Sequence, residues 1–566
     1  MNLFKLTIIT TFLLTIFSGQ TLAQQPDPNR DRLIQPPEEQ LPTPIDEEPI
    51  FPQPEQQPRE PLPTTDDTFT FPLQRLQILG STIFTSTDFE PITSPLEGKQ
   101  VSLSQLQGVA DAITKLYFDA GYVNSRAILT KQAIEDGIVT IQVIEGSLAD
   151  IQINGLKRTK PQYVLGRINE GVTTPLNIQD LEDKLRLLKT DPLFSDIQIE
   201  LQPGTEPGET ILALNITEAK PFYGNAFIDN YSSASIGSER MGITLGYRNI
   251  TGLGDNFRAN YTRSTTGGSD IFDLGYTIPV NAKNGTVQLR FVSDNNEVTQ
   301  APFNQLGIQG ESQLYEISFR QPIIRTSLEE FALSVGFAHR TGQTFIFENI
   351  GTPFGVGAEA DGTTRTTVIR FAQDYVRRDI TGAWAVRSQF NLGTGLFDAT
   401  SNSGNTPDGQ FFSWLGQVQR VQRLSADNLL IMQVDGQLTP DNLLGSEAFT
   451  IGGGTTVRGY RQGARAGDNG VRFTIEDRIT LERGEEGESV FQLAPFFDMG
   501  VVFDSGNNPN VRPRQNFLAG LGLGVLWSPM QNISLRLDGT LPLVNLDDRG
   551  ENAQDDGFYF SLNFNF

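Results

Sequence analysis

The sequence predicts α+β modules followed by a transmembrane antiparallel β-barrel of about 16 strands. Three observations carry this. Helical and strand periodicities alternate twice between Phe69 and Glu218, and alternating stretches then run from Lys220 to Phe566 with no helical period. The chain also opens with an export signal, yet no later apolar run approaches the roughly 18 residues of a membrane helix. Only helices and closed barrels satisfy every backbone group in lipid, so a spanning portion of this chain has to be a barrel.

Residues 1–23 read as a signal peptide: Lys5 is the basic flank, Leu6 to Phe17 the apolar stretch, and Thr21-Leu22-Ala23 the small-residue cleavage site. Residues 24–68 form a Pro-rich linker. Twelve Pro in the 40 positions from 24 to 63, with acidic pieces such as Asp46-Glu47-Glu48, leave little to bury and predict an extended, solvated spacer. The first module spans 69–146. Ser102 and Gln105 form a capping-box pattern ahead of Leu106, Val109, Ala110, Ile113, Leu116 and Tyr117 at helical spacing, and Gly121 stops the helix. The second spans 147–219, where Asn177 caps a helix carrying Ile178, Leu181, Leu185 and Leu188 on one face before two alternating strands. Each module reads as strand, helix, strand.

The remainder, 220–566, is the barrel. Its clearest strand is the last, with Phe558, Phe560, Leu562, Phe564 and Phe566 on one face and Tyr559, Ser561, Asn563 and Asn565 on the other. Five large apolar groups on one face require cover by protein or lipid. A sandwich domain has about 100 residues, and no second linker divides this stretch, so one large barrel is the simpler solution.

Composition removes most chemistry. There is no Cys and one His, His339, which excludes disulfide frameworks, Cys-based zinc sites and thiol nucleophiles. No catalytic residue, metal or cofactor is predicted. Lys and Arg number 43 against 67 Asp and Glu, a formal charge of -24, which repels phosphate backbones and argues against nucleic acid.

Three segments deserve separate reading. Gly520-Leu521-Gly522-Leu523-Gly524 has the glycines of a phosphate loop, but they alternate with apolar residues and no helix follows, so they mark barrel wall kept clear for another element. In Gly452-Gly453-Gly454-Thr455-Thr456-Val457-Arg458-Gly459-Tyr460, a single Arg sits in a flexible loop between a β-branched residue and an aromatic. In Phe496-Phe497-Asp498-Met499-Gly500, alternation places Asp498 opposite Phe497, Met499, Val501 and Phe503, on the luminal face. An inward Asp needs a partner, and an inward-folded Arg458 supplies one.

The run from Leu443 to Gly453, with Val457-Arg458-Gly459-Tyr460 after it, resembles the inward-folded loop of two-partner secretion translocators, the TpsB group that exports filamentous haemagglutinins and haemolysins. Phe496, Asp498 and Gly500 match that family's F-x-D-x-G strand motif. Asp229-Asn230 and Gly252-Leu253-Gly254-Asp255 resemble its first barrel hairpin. The terminal Phe566, closing the strand with Phe558, Phe560, Leu562 and Phe564, is similar to the signal read by the barrel-insertion machinery. The resemblance implies two periplasmic POTRA modules, a 16-stranded barrel in the outer membrane, and a secreted exoprotein with an N-terminal secretion domain as partner, alongside outer-membrane lipid. One departure stands out: members often begin with a pore-plugging helix, whereas Pro26, Pro28, Pro36 and Pro37 leave too little uninterrupted chain for one. The rival readings are a barrel-assembly or import factor of the same superfamily, a passive porin, and a soluble adhesin.

Overall fold

The computed structural model describes residues 50–51 and 70–566, except 135, 348 and 511. The signal peptide, the question of a plug helix and most of the linker fall outside the described residues.

The first module holds strands Arg75–Leu79, Arg126–Leu129 and Ile138–Ile144 with helices Ser86–Thr93 and Leu103–Asp119, besides the short strand pair Thr70–Pro72 and Gln100–Ser102. The long helix starts as its sequence dictates. Ser102 Oγ accepts the Gln105 N–H and Gln105 Oε1 accepts the Ser102 N–H at 2.9 Å. The helix then buries Leu106, Val109, Ala110, Ile113 and Tyr117. The second module has strands Ser147–Asn154, Phe194–Pro203 and Glu209–Glu218 with helices Pro161–Asn169 and Ile178–Lys189. Asn177 caps the latter by accepting the Gln179 N–H at 2.9 Å, and Leu181, Leu185 and Leu188 face the core. In both sheets the last strand lies in the middle, parallel to the first and antiparallel to the other. Each module thus has one helix more than the periodicity predicts. Ser86–Thr93 and Pro161–Asn169 are short, and Pro91 inside the first interrupts its helical signature, whereas Pro161 stands at the first position of the second, where proline is compatible with a helix.

Several hydrogen bonds join the parts. The Ile178 N–H donates to the Gly121 carbonyl (3.0 Å) and the Leu176 N–H to that of Gly146 (2.7 Å), linking the modules. The second module meets the barrel through the Lys160 N–H on the Gly252 carbonyl (2.9 Å), Asn249 Nδ2 on Thr159 Oγ1 (2.8 Å) and the Ser327 N–H on Asp183 Oδ1 (2.6 Å). One part of the linker departs from the solvated spacer expected of it. Ile50 and Phe51 pack against the second module's core, and the Ile50 N–H donates to Glu182 Oε1 at 2.6 Å. These two apolar side chains have surface to bury even though the surrounding composition is polar.

Sixteen antiparallel strands from Phe222–Asp229 to Phe558–Asn565 close into a barrel, and a two-residue strand, Ile350–Gly351, hangs on Glu329–Ile346. An even strand number returns both barrel ends to one mouth. There Gly224 and Phe566 exchange two backbone hydrogen bonds of 2.9 Å, and the second module docks at the same mouth, which is the periplasmic one. Ile228, Leu289, Phe371, Leu521, Trp527 and Phe564 are among the apolar side chains exposed on the outer wall. Among the described residues no helix is long and apolar enough to cross a membrane; the strands do so. Asp229-Asn230 ends the first strand at the outer mouth, whereas Gly252 to Asp255 form the periplasmic turn between the second and third strands.

Candidate functional site

Residues 439–468 connect strands Asn428–Leu438 and Asn469–Arg483 at the outer mouth, and the connection folds back into the lumen. Its limbs pair as Phe449–Ile451 with Arg465–Gly467. Between them the chain reverses using Gly452, Gly453 and Gly459 at φ of 108°, 111° and 103°, conformations that residues bearing a Cβ rarely adopt. Val457 and Tyr460 are buried with Ile451, Val502, Leu518 and Leu546, so the loop carries its own apolar core against the wall.

Arg458 stands at the centre. Its Nε and Nη2 donate to the two carboxylate oxygens of Asp498 at 2.7 and 2.9 Å, and its backbone N–H adds a third bond to Oδ2 at 3.1 Å. Asp498 is 0 % exposed and Arg458 5 %. The other face of the charge is covered too. Nη1 donates to Glu476 Oε2 at 2.8 Å, and the Asp538 carboxylate lies 3.9 Å away. Arg536 bonds Glu476 (2.7 Å) and Asp538 (2.8 Å), and Arg478 bonds Glu476 (2.8 Å). Three guanidinium groups thus face three carboxylates, which is how charges withdrawn from water are kept compensated.

The strand motif follows from this geometry. The guanidinium carbon of Arg458 sits 3.3 Å from the centroid of the Phe496 ring, so Phe496 supplies an aromatic floor and Asp498 the fork. A Cβ on Gly500 would lie within 3.2 to 3.3 Å of Val457 and Ile451, so a bare backbone there admits the loop. On the neighbouring strand Phe517–Met530, a Cβ on Gly520 would collide with the Arg458 carbonyl and one on Gly522 with the Phe496 ring. The glycine stretch is wall cleared for the loop and its floor.

Alternation pointed to Asp498 and the glycines and the loop motif to Arg458, but both passed over Glu476, Arg478, Arg536, Asp538 and Tyr559. The available signal was charge on a luminal face: Arg536 and Asp538 alternate with Leu535 and Leu537. Tyr559 Oη accepts the Gly459 and Tyr460 N–H groups, both at 2.8 Å. Nearer the outer mouth, Asp548 accepts from Arg461 (2.7 Å) and Arg465 (2.8 Å), fastening the loop to the last outer connection. Of the terminal residues, Phe558, Leu562, Phe564 and Phe566 are exposed on the outer wall and Phe560 is half-buried. Among the described residues no group of His, Asp and Glu could hold a metal ion.

Comparison with known proteins agrees with this architecture. The model for the haemolysin secretion/activation protein ShlB/FhaC/HecB matches residues 208–526, and that for the POTRA domain, ShlB-type, matches 71–146. The outer membrane transporter CdiB of Escherichia coli is 25% identical over 412 residues, 71% of this chain and 67% of the relative. The heme/hemopexin transporter protein HuxB of Haemophilus influenzae strain 86-028NP is 23% identical over 514 residues, 87% of this chain and 86% of the relative. The solved structure of CdiB from Escherichia coli superposes with a TM-score of 0.70 at 22% identity, covering 92% of this chain and 94% of that one. The family model alone spans more than half of the residues, and the chain belongs to the haemolysin secretion/activation family ShlB/FhaC/HecB, the outer-membrane transporters of two-partner secretion.

Proposed function

We propose that the periplasmic modules capture an unfolded exoprotein bearing an N-terminal secretion domain, and that it passes outward through the barrel once the loop carrying Arg458 moves aside. The observation that carries this reading is the loop itself. A passive porin gains nothing from a lumen occupied by a buried, charge-compensated loop, whereas a translocator needs a seal that can be withdrawn. In this reading residues 69–146 and 147–219 are the receptor arm, 24–68 its tether and 220–566 the pore. Val457, Arg458, Gly459 and Tyr460 form the seal, with Phe496, Asp498 and Gly500 as its seat. Extended cargo segments add to exposed sheet edges of the modules. Folding of the exoprotein outside makes return unfavourable, so transport proceeds without catalysis, cofactor or metal. The last strand, with Phe558, Phe560, Leu562, Phe564 and Phe566, is the part read by the barrel-insertion machinery before the protein takes up outer-membrane lipid. The test is deletion of 69–146, which should leave a heat-modifiable, membrane-inserted barrel that no longer secretes. Undiminished secretion by that deletion would remove the receptor role.

A further inference from the structure

A cavity of about 280 Å³ lies at the joint between the second module and the barrel, and no residue of the inward loop lines it. Its walls come from helices Pro161–Asn169 and Ile178–Lys189 and from the periplasmic turns that follow strands Ser269–Pro279 and Gln309–Arg325. Arg167, Lys184, Lys283 and Arg325 line it against Glu170 and Asp191, a local excess of positive charge in a chain of net charge -24. The two acids do not use up that excess. Asp191 accepts the Tyr163 hydroxyl at 2.7 Å, and Glu170 stays 3.9 Å from Lys283. Lys184 is engaged, donating to Asp183 (3.0 Å) and to the Arg325 carbonyl (2.8 Å), and Arg167 lies over the Tyr163 ring with Nη2 on Asn284 Oδ1 (3.0 Å). Arg325 is different. Its Nε is buried without a hydrogen-bond partner among the described residues, and the Glu330 carboxylate stands off at 3.6 Å. Burial lowers the Arg167 guanidinium from its ordinary value and the nearby Arg325 pushes it the same way, so an anion placed between them is favoured.

The same cavity is bordered by apolar surface. The ladder of Gln309–Arg325 is broken by an irregularity between Pro322 and Ile324, so Ile323 and Ile324 are both exposed where regular alternation would turn one of them inward. Val280 and Leu328, in the flanking turns, are exposed as well. These side chains carry the outer wall of Ile317 and Phe319 down to its periplasmic end. A free inorganic anion would use the charges and leave the apolar rim bare, whereas an anionic amphiphile covers both. We propose that this cavity binds the phosphate group of an anionic glycerophospholipid from the inner leaflet of the outer membrane, held by Arg325 and Lys283, with its acyl chains on Ile323 and Ile324. The lipid ties the second module to the membrane where helix and barrel turn already meet, through the Lys184 bond to the Arg325 carbonyl and the Asp183 bond to the Ser327 N–H. Movement of the loop plays no part in it.

The test mixes the full-length protein, in a nonionic detergent, with equal amounts of phosphatidylglycerol and phosphatidylcholine and counts the lipid carried by the intact protein by native mass spectrometry. Phosphatidylglycerol should be retained in preference. Lys283→Gln with Arg325→Gln should lower that retention about thirtyfold, the worth of two basic residues at an anionic lipid surface. Arg377→Gln with Arg423→Gln removes two exposed charges at the same periplasmic end but outside the cavity, and should leave retention unchanged. Heat-modifiable migration verifies that each variant is a closed barrel. If the cavity pair loses that migration, Lys283→Gln alone, an exposed side chain, carries the test with a loss of about fivefold. Equal retention of the two lipids, undiminished retention by the cavity variants, or an equal loss in the control pair would overturn the site. Displacement of the lipid by inorganic phosphate at the same concentration would make it a site for the free anion and overturn the lipid assignment.

Discussion

The modules and the barrel are built inside out with respect to each other. In the second module Val164, Ile168, Leu181 and Leu185 are sealed from solvent and the charges lie outside, whereas in the barrel Leu521, Trp527 and Phe564 face outward and Arg458, Glu476, Asp498 and Asp538 are sealed within. The hydrophobic effect therefore organises the modules directly, while the barrel depends on strand ladders, lipid and a compensated charge cluster. Damage should consequently unfold a module but unseat only a loop in the barrel.

Asp498→Ala should have the largest effect. It leaves Arg458, Arg478 and Arg536 facing Glu476 and Asp538, an excess positive charge in a buried site, at about 3 kcal/mol of loop anchoring. Secretion should fall by an order of magnitude or more while unheated gel migration stays that of a closed barrel. Arg458→Ala should lose as much. The double variant restores charge balance at two against two and should be no worse than either single change. Independent, additive losses in this double-mutant cycle would mean that the contact does not act as a unit.

Next comes the module side. Leu185→Ala deletes a fully buried side chain and should destabilise the second module by about 3 kcal/mol. Hydrogen exchange should rise across residues 147–219 with gel migration unchanged. Loss of barrel migration as well would show that the two parts fold as one unit.

Gly520→Ala tests the cleared wall at about 2 kcal/mol, because the added methyl enters space held by the Arg458 backbone. Its control is Gly539→Ala, where nothing lies within 4 Å of the new Cβ. Higher bilayer conductance is expected from the first and none from the second; equal behaviour would break the packing argument.

The smallest effect concerns the joint between the two regions. Burial alone would raise the Glu218 carboxyl, but the N–H groups of Thr159 (2.8 Å), Arg158 (3.1 Å) and Lys157 (3.2 Å) outweigh it and hold the group below the ordinary carboxylate value of 4.5. A lowered folded value means this support is complete above the unfolded value and disappears as pH falls through the folded one. Exchange of these three amides should accelerate beyond the intrinsic trend as the pH falls below the ordinary carboxylate value and through the lowered folded one, by the equivalent of about 1 kcal/mol. Glu218→Gln should show the faster exchange already at pH 7 and no such acid step. An unaltered profile would remove Glu218 from the joint.

Local pattern alone determined a good deal here. Alternation with period two settled which face of Ser489–Phe503 and Phe558–Asn565 meets lipid, because successive side chains in a strand point to opposite sides whatever the strand pairs with. Capping residues placed the starts of the helices at Leu103 and Ile178 for the same reason, since a cap is satisfied within three residues. Tertiary structure decided the rest. Alternation gives a side chain's face but not its height, and height depends on register between strands far apart in the chain. Glu476, Asp498, Arg536 and Arg458 come from three strands and a loop, and Tyr559 reaches Gly459 across a hundred residues. Only closure of the sheet, which fixes every register at once, puts them at one level of the lumen.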